Sequence, residues 1–124
     1  MAEKTDKWLS IDDILRSQDA KVERVDVPEW GGYVYLGPLG GDDRDWLDGK
    51  LSASKDKASD FVGVRREVVA RSLRTEKGER MVISAAQVAA LGGKNGEVID
   101  RLFQHCQRIS GLAGKDSVEA AVKN

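Results

Sequence analysis

Few side chains in this sequence are equipped for catalysis or metal binding. One histidine and one cysteine occur among 124 residues, adjacent at His105 and Cys106. A metal centre needs several converging ligands, and neighbours on a helix project about 100° apart, so this pair does not face one site. The expected arrangement is a buried thiol beside an exposed imidazole. A Cys–His nucleophile needs partners that converge in space, which adjacency along the chain does not supply. Asp42, Asp43, Asp45 and Asp48 form an acidic cluster. It lacks the glycine and terminal glutamate of a calcium loop, and a helix N-terminus accounts for its first members. The glycine pairs starting at Gly31, Gly40 and Gly92 match no phosphate-binding loop and suit turns and helix ends. Arg65, Arg66, Arg71 and Arg74 make the most basic stretch, but Glu67, Val68 and Val69 interrupt it, as on a solvated helix face. The residues point to a binding protein rather than an enzyme, with no catalytic group, cofactor or metal.

The aromatic side chains are the better candidates for contact with a partner. Val25 and Val27 alternate with polar neighbours, and Val34 and Leu36 alternate with Tyr33 and Tyr35. Period-two alternation predicts two strands, about 21–27 and 33–36, each with one aliphatic face toward a core. Gly31-Gly32 between them is expected to form a two-residue hairpin turn at positive φ. Pro28 cannot donate a ladder hydrogen bond, which places it at an edge or a strand end. If the valines and Leu36 face inward, Tyr33 and Tyr35 face outward, as amphipathic anchors at an interface do. Trp30, Tyr33, Tyr35 and Trp46 are therefore the candidate partner-binding residues. An open outer strand can also pair with a second copy.

Helices are expected around this hairpin. Ser10 caps a short one carrying Ile11, Ile14 and Leu15 on one face, with Asp12 and Asp13 in its first turn. Asp42 or Asp43 caps the next, whose apolar stripe is Trp46, Leu47 and Leu51. A polar link covers 52–59. A longer helix is predicted over 60–75 with Asp60 as its cap; Phe61, Val64, Val68 and Ser72 lie near one line, broadened by Val62, Val69 and Leu73. Residues 76–79 read as a turn, and 80–83 are too short to assign. Ser84 caps a helix ending at Gly92-Gly93, where positive φ is expected. The last helix, about 97–110, aligns Val98, Leu102, Cys106 and Ile109 inward, with Ile99 and Phe103 beside them and Arg101, His105 and Arg108 toward solvent. Gly111 closes it, and Leu112 tucks back.

The fold class expected is α+β, mainly α: a small helical domain with one N-terminal β-hairpin. Residues 1–9 read as a flexible arm, 10–112 as the single domain with its hairpin at about 21–36, and 113–124 as a disordered tail. Net charge is −1, from 20 basic and 21 acidic residues. That balance argues against a protein built to neutralise nucleic-acid phosphates. No apolar run approaches the roughly 20 residues a membrane span needs, and 1–7 lack a signal-peptide core. A lone cysteine fits a reducing compartment.

The order of these elements resembles the tail assembly chaperones of long-tailed bacteriophages. The residues that carry the resemblance are Val27-Pro28-Glu29-Trp30-Gly31-Gly32-Tyr33-Val34, then the helix start Gly41 to Asp45, Asp60-Phe61, the turn Glu76 to Glu79, the run Ser84 to Gly92, and the amphipathic helix from Asp100 to Gly111. The resemblance covers about 10–112. It implies a non-catalytic protein of the host cytoplasm, absent from the mature virion. Such a protein binds the long, helical tape-measure protein and keeps it soluble while tail-tube protein assembles around it. It implies self-association, and a longer product made by ribosomal frameshifting whose added part recruits tube protein. Gly114-Lys115 and Lys123-Asn124 can each be encoded by a slippery heptamer, so this chain would be the short form. The competing readings are a structural tail or head–tail connector protein of the virion and a small helical nucleic-acid-binding regulator.

Overall fold

Alternating strand residues and two capped helices define the architecture before any long-range contact is considered. The computed structural model describes residues 6–53 and 62–112. Its elements run α1 (Ile11–Arg16), β1 (Glu23–Val27), a 3-10 turn (Pro28–Trp30), β2 (Gly32–Leu36), α2 (Gly41–Ala53), α3 (Val64–Ser72), β3 (Leu73–Arg74), α4 (Ala85–Leu91) and α5 (Gly96–Ile109). The class is α+β, mainly α, with one antiparallel sheet in the order β1-β2-β3. No described helix is long and apolar enough to cross a membrane.

The hairpin register, Val25 opposite Val34 and Val27 opposite Gly32, turns Val25, Val27 and Leu36 inward. They meet Leu47 of α2, Val64, Val68 and Val69 of α3, and Val98, Leu102, Phe103 and Cys106 of α5 in one core. The turn differs from a two-residue Gly-Gly connection. Pro28, with φ preset for a helical first position, starts a 3-10 turn. The Gly31 N–H closes it onto the Pro28 carbonyl at 3.0 Å. Only Gly31 is left-handed, at φ 78°, while Gly32 already belongs to the ladder. A Cβ at Gly31 would meet nothing within 4 Å, so Gly31→Ala isolates the backbone cost. It is expected to lower stability by about 1 kcal/mol, measured by urea unfolding.

At three helices an end or its cap also departs from expectation. The 60–75 helix is shorter: Gly63 at φ 84° precedes its first residue, and Leu73 turns extended (φ −66°, ψ 131°). Leu73 and Arg74 then pair with Leu36 and Tyr35 as a third strand. Asp60, the expected cap, and Phe61 lie outside the described residues, as do 54–59 of the polar link. Gly92 ends α4 in right-handed geometry, φ −62°, because its N–H bonds the Ala89 carbonyl in the last helical turn. At α2, the Gly40 N–H donates to Asp43 Oδ2 at 3.3 Å and the Arg44 N–H to the Gly40 carbonyl. Asp43 thus reaches back from the third helical position, and Asp42 is not the cap.

Other expectations hold. Ser84 and Ser10 cap α4 and α1, Ser10 in a reciprocal capping box with Asp13. The 76–79 turn closes from the Thr75 N–H to the Glu79 carbonyl at 2.8 Å, with Gly78 left-handed. Gly111, at φ 75°, ends α5, and the Leu112 N–H donates to the Gln107 carbonyl at 2.7 Å, burying Leu112. That pairing is the Schellman closure of a helix C-terminus. Residues 1–5 of the expected arm and 113–124 of the expected tail lie outside the described residues.

Candidate functional site

The outward parity of β2 places both tyrosines on the sheet face opposite the core. Tyr33 is 45% exposed and Tyr35 half-buried. Their rings meet edge to face, with centroids 5.5 Å apart and an interplanar angle of 80°. Arg24, on the neighbouring strand, lies 3.8 Å over the Tyr33 ring and hydrogen-bonds Asp26 at 3.1 Å. The cation–π contact and the ion pair hold the aromatic pair in one arrangement before any partner arrives. Tyr33, Tyr35, Thr75, Glu76 and exposed Met81 wall a hollow of about 220 Å³. Hydrogen bonding with Tyr33, then its nearby charge, raises the Tyr35 phenol above its ordinary value.

The two candidate tryptophans, Trp30 and Trp46, do not join this face. Trp30 is half-buried against the core from the 3-10 turn. Trp46 is also half-buried against the core, with the Arg71 guanidinium 4.2 Å over its ring. Of four candidate residues, the structure therefore brings Tyr33 and Tyr35 together and uses Trp30 and Trp46 in packing.

The arginine stretch is a solvated face only in part: Arg65 is exposed, whereas Arg71 and Arg74 are drawn into the fold. Arg71 donates to Asp43 at 2.8 Å and to Glu67 at 2.9 Å, and Arg80 reaches the same Asp43 at 3.1 Å. Arg74 is buried and donates to the carbonyls of Arg71 (2.6 Å) and Pro38 (3.1 Å). Burial lowers the Arg74 guanidinium below its ordinary value. Burial also pushes the Asp43 carboxyl up, but hydrogen bonds from Arg71 and Arg80 outweigh it and leave the group below its ordinary value. The carboxylate expected to stabilise a helix start is thus also an internal counter-ion for two arginines.

On the polar side of α5, Arg101 and Arg108 lie toward solvent as expected, and both are paired. Arg101 grips Glu29 through two hydrogen bonds of 2.8 Å, and Arg108 reaches Glu23 at 3.1 Å. These fix α5 across β1 and the turn. The Arg101 pair takes Glu29 down to about 2. Half-buried His105 offers Nδ1 to Arg108 at 2.8 Å. Cys106 is buried, and desolvation pushes its thiol up to about 11, which leaves it a packed side chain rather than a nucleophile. Among the described residues no group of three or more His, Cys, Asp or Glu side chains could hold a metal ion.

The largest feature that sequence reasoning passed over is at the N-terminal end. α1 buries none of its residues. Trp8, Ile11 and Leu15 are 83%, 66% and 75% exposed, and Leu9 and Ile14 are exposed beside them. The amphipathic spacing was visible, but such spacing ordinarily announces a helix packed on its own core. The signal for the other outcome is the capping box, which lets a short helix form with little tertiary support.

No family model matches the chain, and no curated protein or solved structure matches it either.

Proposed function

We propose that this chain is a non-catalytic phage tail assembly chaperone that binds the tape-measure protein in the host cytoplasm and keeps it soluble while the tail tube forms. The observation that carries the reading is the preorganised aromatic face of Tyr33 and Tyr35, with Met81 beside them and an open hollow between. A tape-measure protein is long and helical, and before assembly its apolar helix faces stand exposed to water. A shallow patch of two amphipathic rings and a thioether accepts such a face through one or two inserted aliphatic side chains. Its small area suits a helper that tube protein must later displace. The order of elements from Val27 to Gly111 supports the same reading. On it, tube protein is recruited by a longer, frameshifted product that carries this chain at its N-terminal end.

The test is capture of purified tape-measure fragments by the Tyr33→Ala, Tyr35→Ala double variant. Affinity is expected to fall at least about tenfold, with the far-ultraviolet circular dichroism unchanged. Undiminished capture would remove this face from the account.

A further inference from the structure

We propose that the groove where the start of α3 meets the α4–α5 connection docks an acidic amphipathic helix of a partner protein. It measures about 450 Å³ and is lined by Val62, Arg65, Arg66, Lys94, Ile99 and glycines, with no acidic side chain in its wall. The chain carries 20 basic and 21 acidic residues, so three cations without an anion make this wall a local departure from the whole. Arg65 is shared with Asp100 at 3.4 Å, whereas Arg66 and Lys94 have no ion pair among the described residues.

Arg66 is set apart from the other arginines. Every other described arginine donates to a carboxylate or a backbone carbonyl: Arg44 to Ser110, Arg74 to Arg71 and Pro38, and the rest to acidic side chains. Half-buried Arg66 donates to no acceptor among the described residues. It is nonetheless held in place. It covers Gly63 and Gly92 and fills the space their side chains would take: a Cβ at Gly92 would come within 2.8 Å of its Nη1, and one at Gly63 within 3.2 Å of its Nε. A guanidinium fixed without a counter-ion gains most when a carboxylate arrives, because little side-chain freedom is left to lose.

The occupant follows from this charge and from the apolar residues beside it. Val62 is 80% exposed at the groove and Ile99 gives it an aliphatic wall, neither of which a phosphate or a nucleic-acid backbone would use. An acidic amphipathic helix offers both contacts. Its carboxylates at i and i+4 stand about 6 Å apart at Cβ, with an aliphatic residue at i+3 on the same face. The groove shares no lining residue with the Tyr33–Tyr35 hollow, so it serves whether or not those tyrosines bind a tape-measure protein.

The experiment is fluorescence anisotropy, with the full chain titrated into labelled synthetic amphipathic helices of Leu, Ala and Glu. The spacing of Leu and Glu on one face varies across the set, and each peptide has a counterpart with Gln, and one with Lys, in place of Glu. At least one Glu peptide is expected to bind at least about tenfold more tightly than its Gln counterpart, and less so at high salt. Arg66→Glu combined with Lys94→Glu should cancel that preference and transfer it to the Lys counterpart. Thermal unfolding should stay unchanged, because neither side chain is paired within the described fold. Gly92→Ala keeps every charge and suits the right-handed backbone there, but it takes the space Arg66 occupies; it should weaken the Glu peptide about threefold. Glu peptides that bind no better than their Gln counterparts overturn the proposal, as does a charge-reversed variant that binds them undiminished. Tighter binding of inorganic pyrophosphate or duplex DNA, lost in the same variant, would reassign the groove and overturn it too.

Discussion

Asp43→Ala is expected to lower the unfolding free energy by about 3 kcal/mol, toward the lower end of the range for breaking a buried ion pair. The carboxylate is 6% exposed and accepts from Arg71, Arg80 and the Gly40 N–H. Its loss leaves Arg71 with Glu67 and the Trp46 ring, frees the half-exposed Arg80, and removes the acceptor of the Gly40 N–H at the start of α2. Asp43→Asn keeps an oxygen for Gly40 but not the charge, and should fall between Ala and wild type. The pH dependence has a definite sign. The folded-state value lies below the ordinary 3.8, so the contribution is fully present above about pH 4 and is lost as pH falls through the folded value. Wild type and Asp43→Asn should therefore converge below pH 4 in urea titrations. A loss under about 1 kcal/mol in Asp43→Ala, or no convergence in acid, would show that the arginines do not depend on this carboxylate.

Phe103→Ala is the second large effect, about 3–5 kcal/mol. The ring is wholly buried on the face of α5 that packs against α3, with the Arg65 guanidinium 5.8 Å from its centroid. Truncation removes the transfer free energy of the ring and leaves a cavity between elements held on several sides. Phe103→Leu, which refills most of that volume, should cost less than half as much. Ile14→Ala serves as the contrast: an apolar residue of similar size on α1 should change stability by less than about 0.5 kcal/mol. Against a total of about 5–15 kcal/mol for a domain, the Phe103 and Asp43 variants should each shift the denaturation midpoint visibly while Ile14→Ala does not. Equal losses at Ile14 and Phe103 would mean that α1 belongs to the core.

What could be read without coordinates was what local periodicity controls. The inward valines of the hairpin, the inward line of α5 and the caps at Ser10, Ser84 and Gly111 depend on residues a few positions apart. What could not be read depends on distant partners. β3 is two residues long and exists because Leu73 finds Leu36 across the sheet. Arg71 and Arg74 look like surface charge until Asp43, 28 positions before Arg71, and the Pro38 carbonyl are brought to them. Of the candidate site, strand parity correctly turned Tyr33 and Tyr35 outward. It carried no information about Trp30 and Trp46, which lie outside the alternating strands and pack against the core. The exposed α1 was missed for the opposite reason, since its pattern is that of a buried helix.

The proposed function is tested most directly by co-expressing this chain with a phage tape-measure protein. The readout is the fraction of tape measure in the soluble extract, followed by affinity capture through this chain. The account predicts that the tape measure moves from pellet to supernatant, co-purifies with the wild-type chain, and returns to the pellet with the Tyr33→Ala, Tyr35→Ala variant. A tape measure that stays insoluble and uncaptured beside well-expressed wild-type chain would contradict it, and would favour a structural connector of the finished particle.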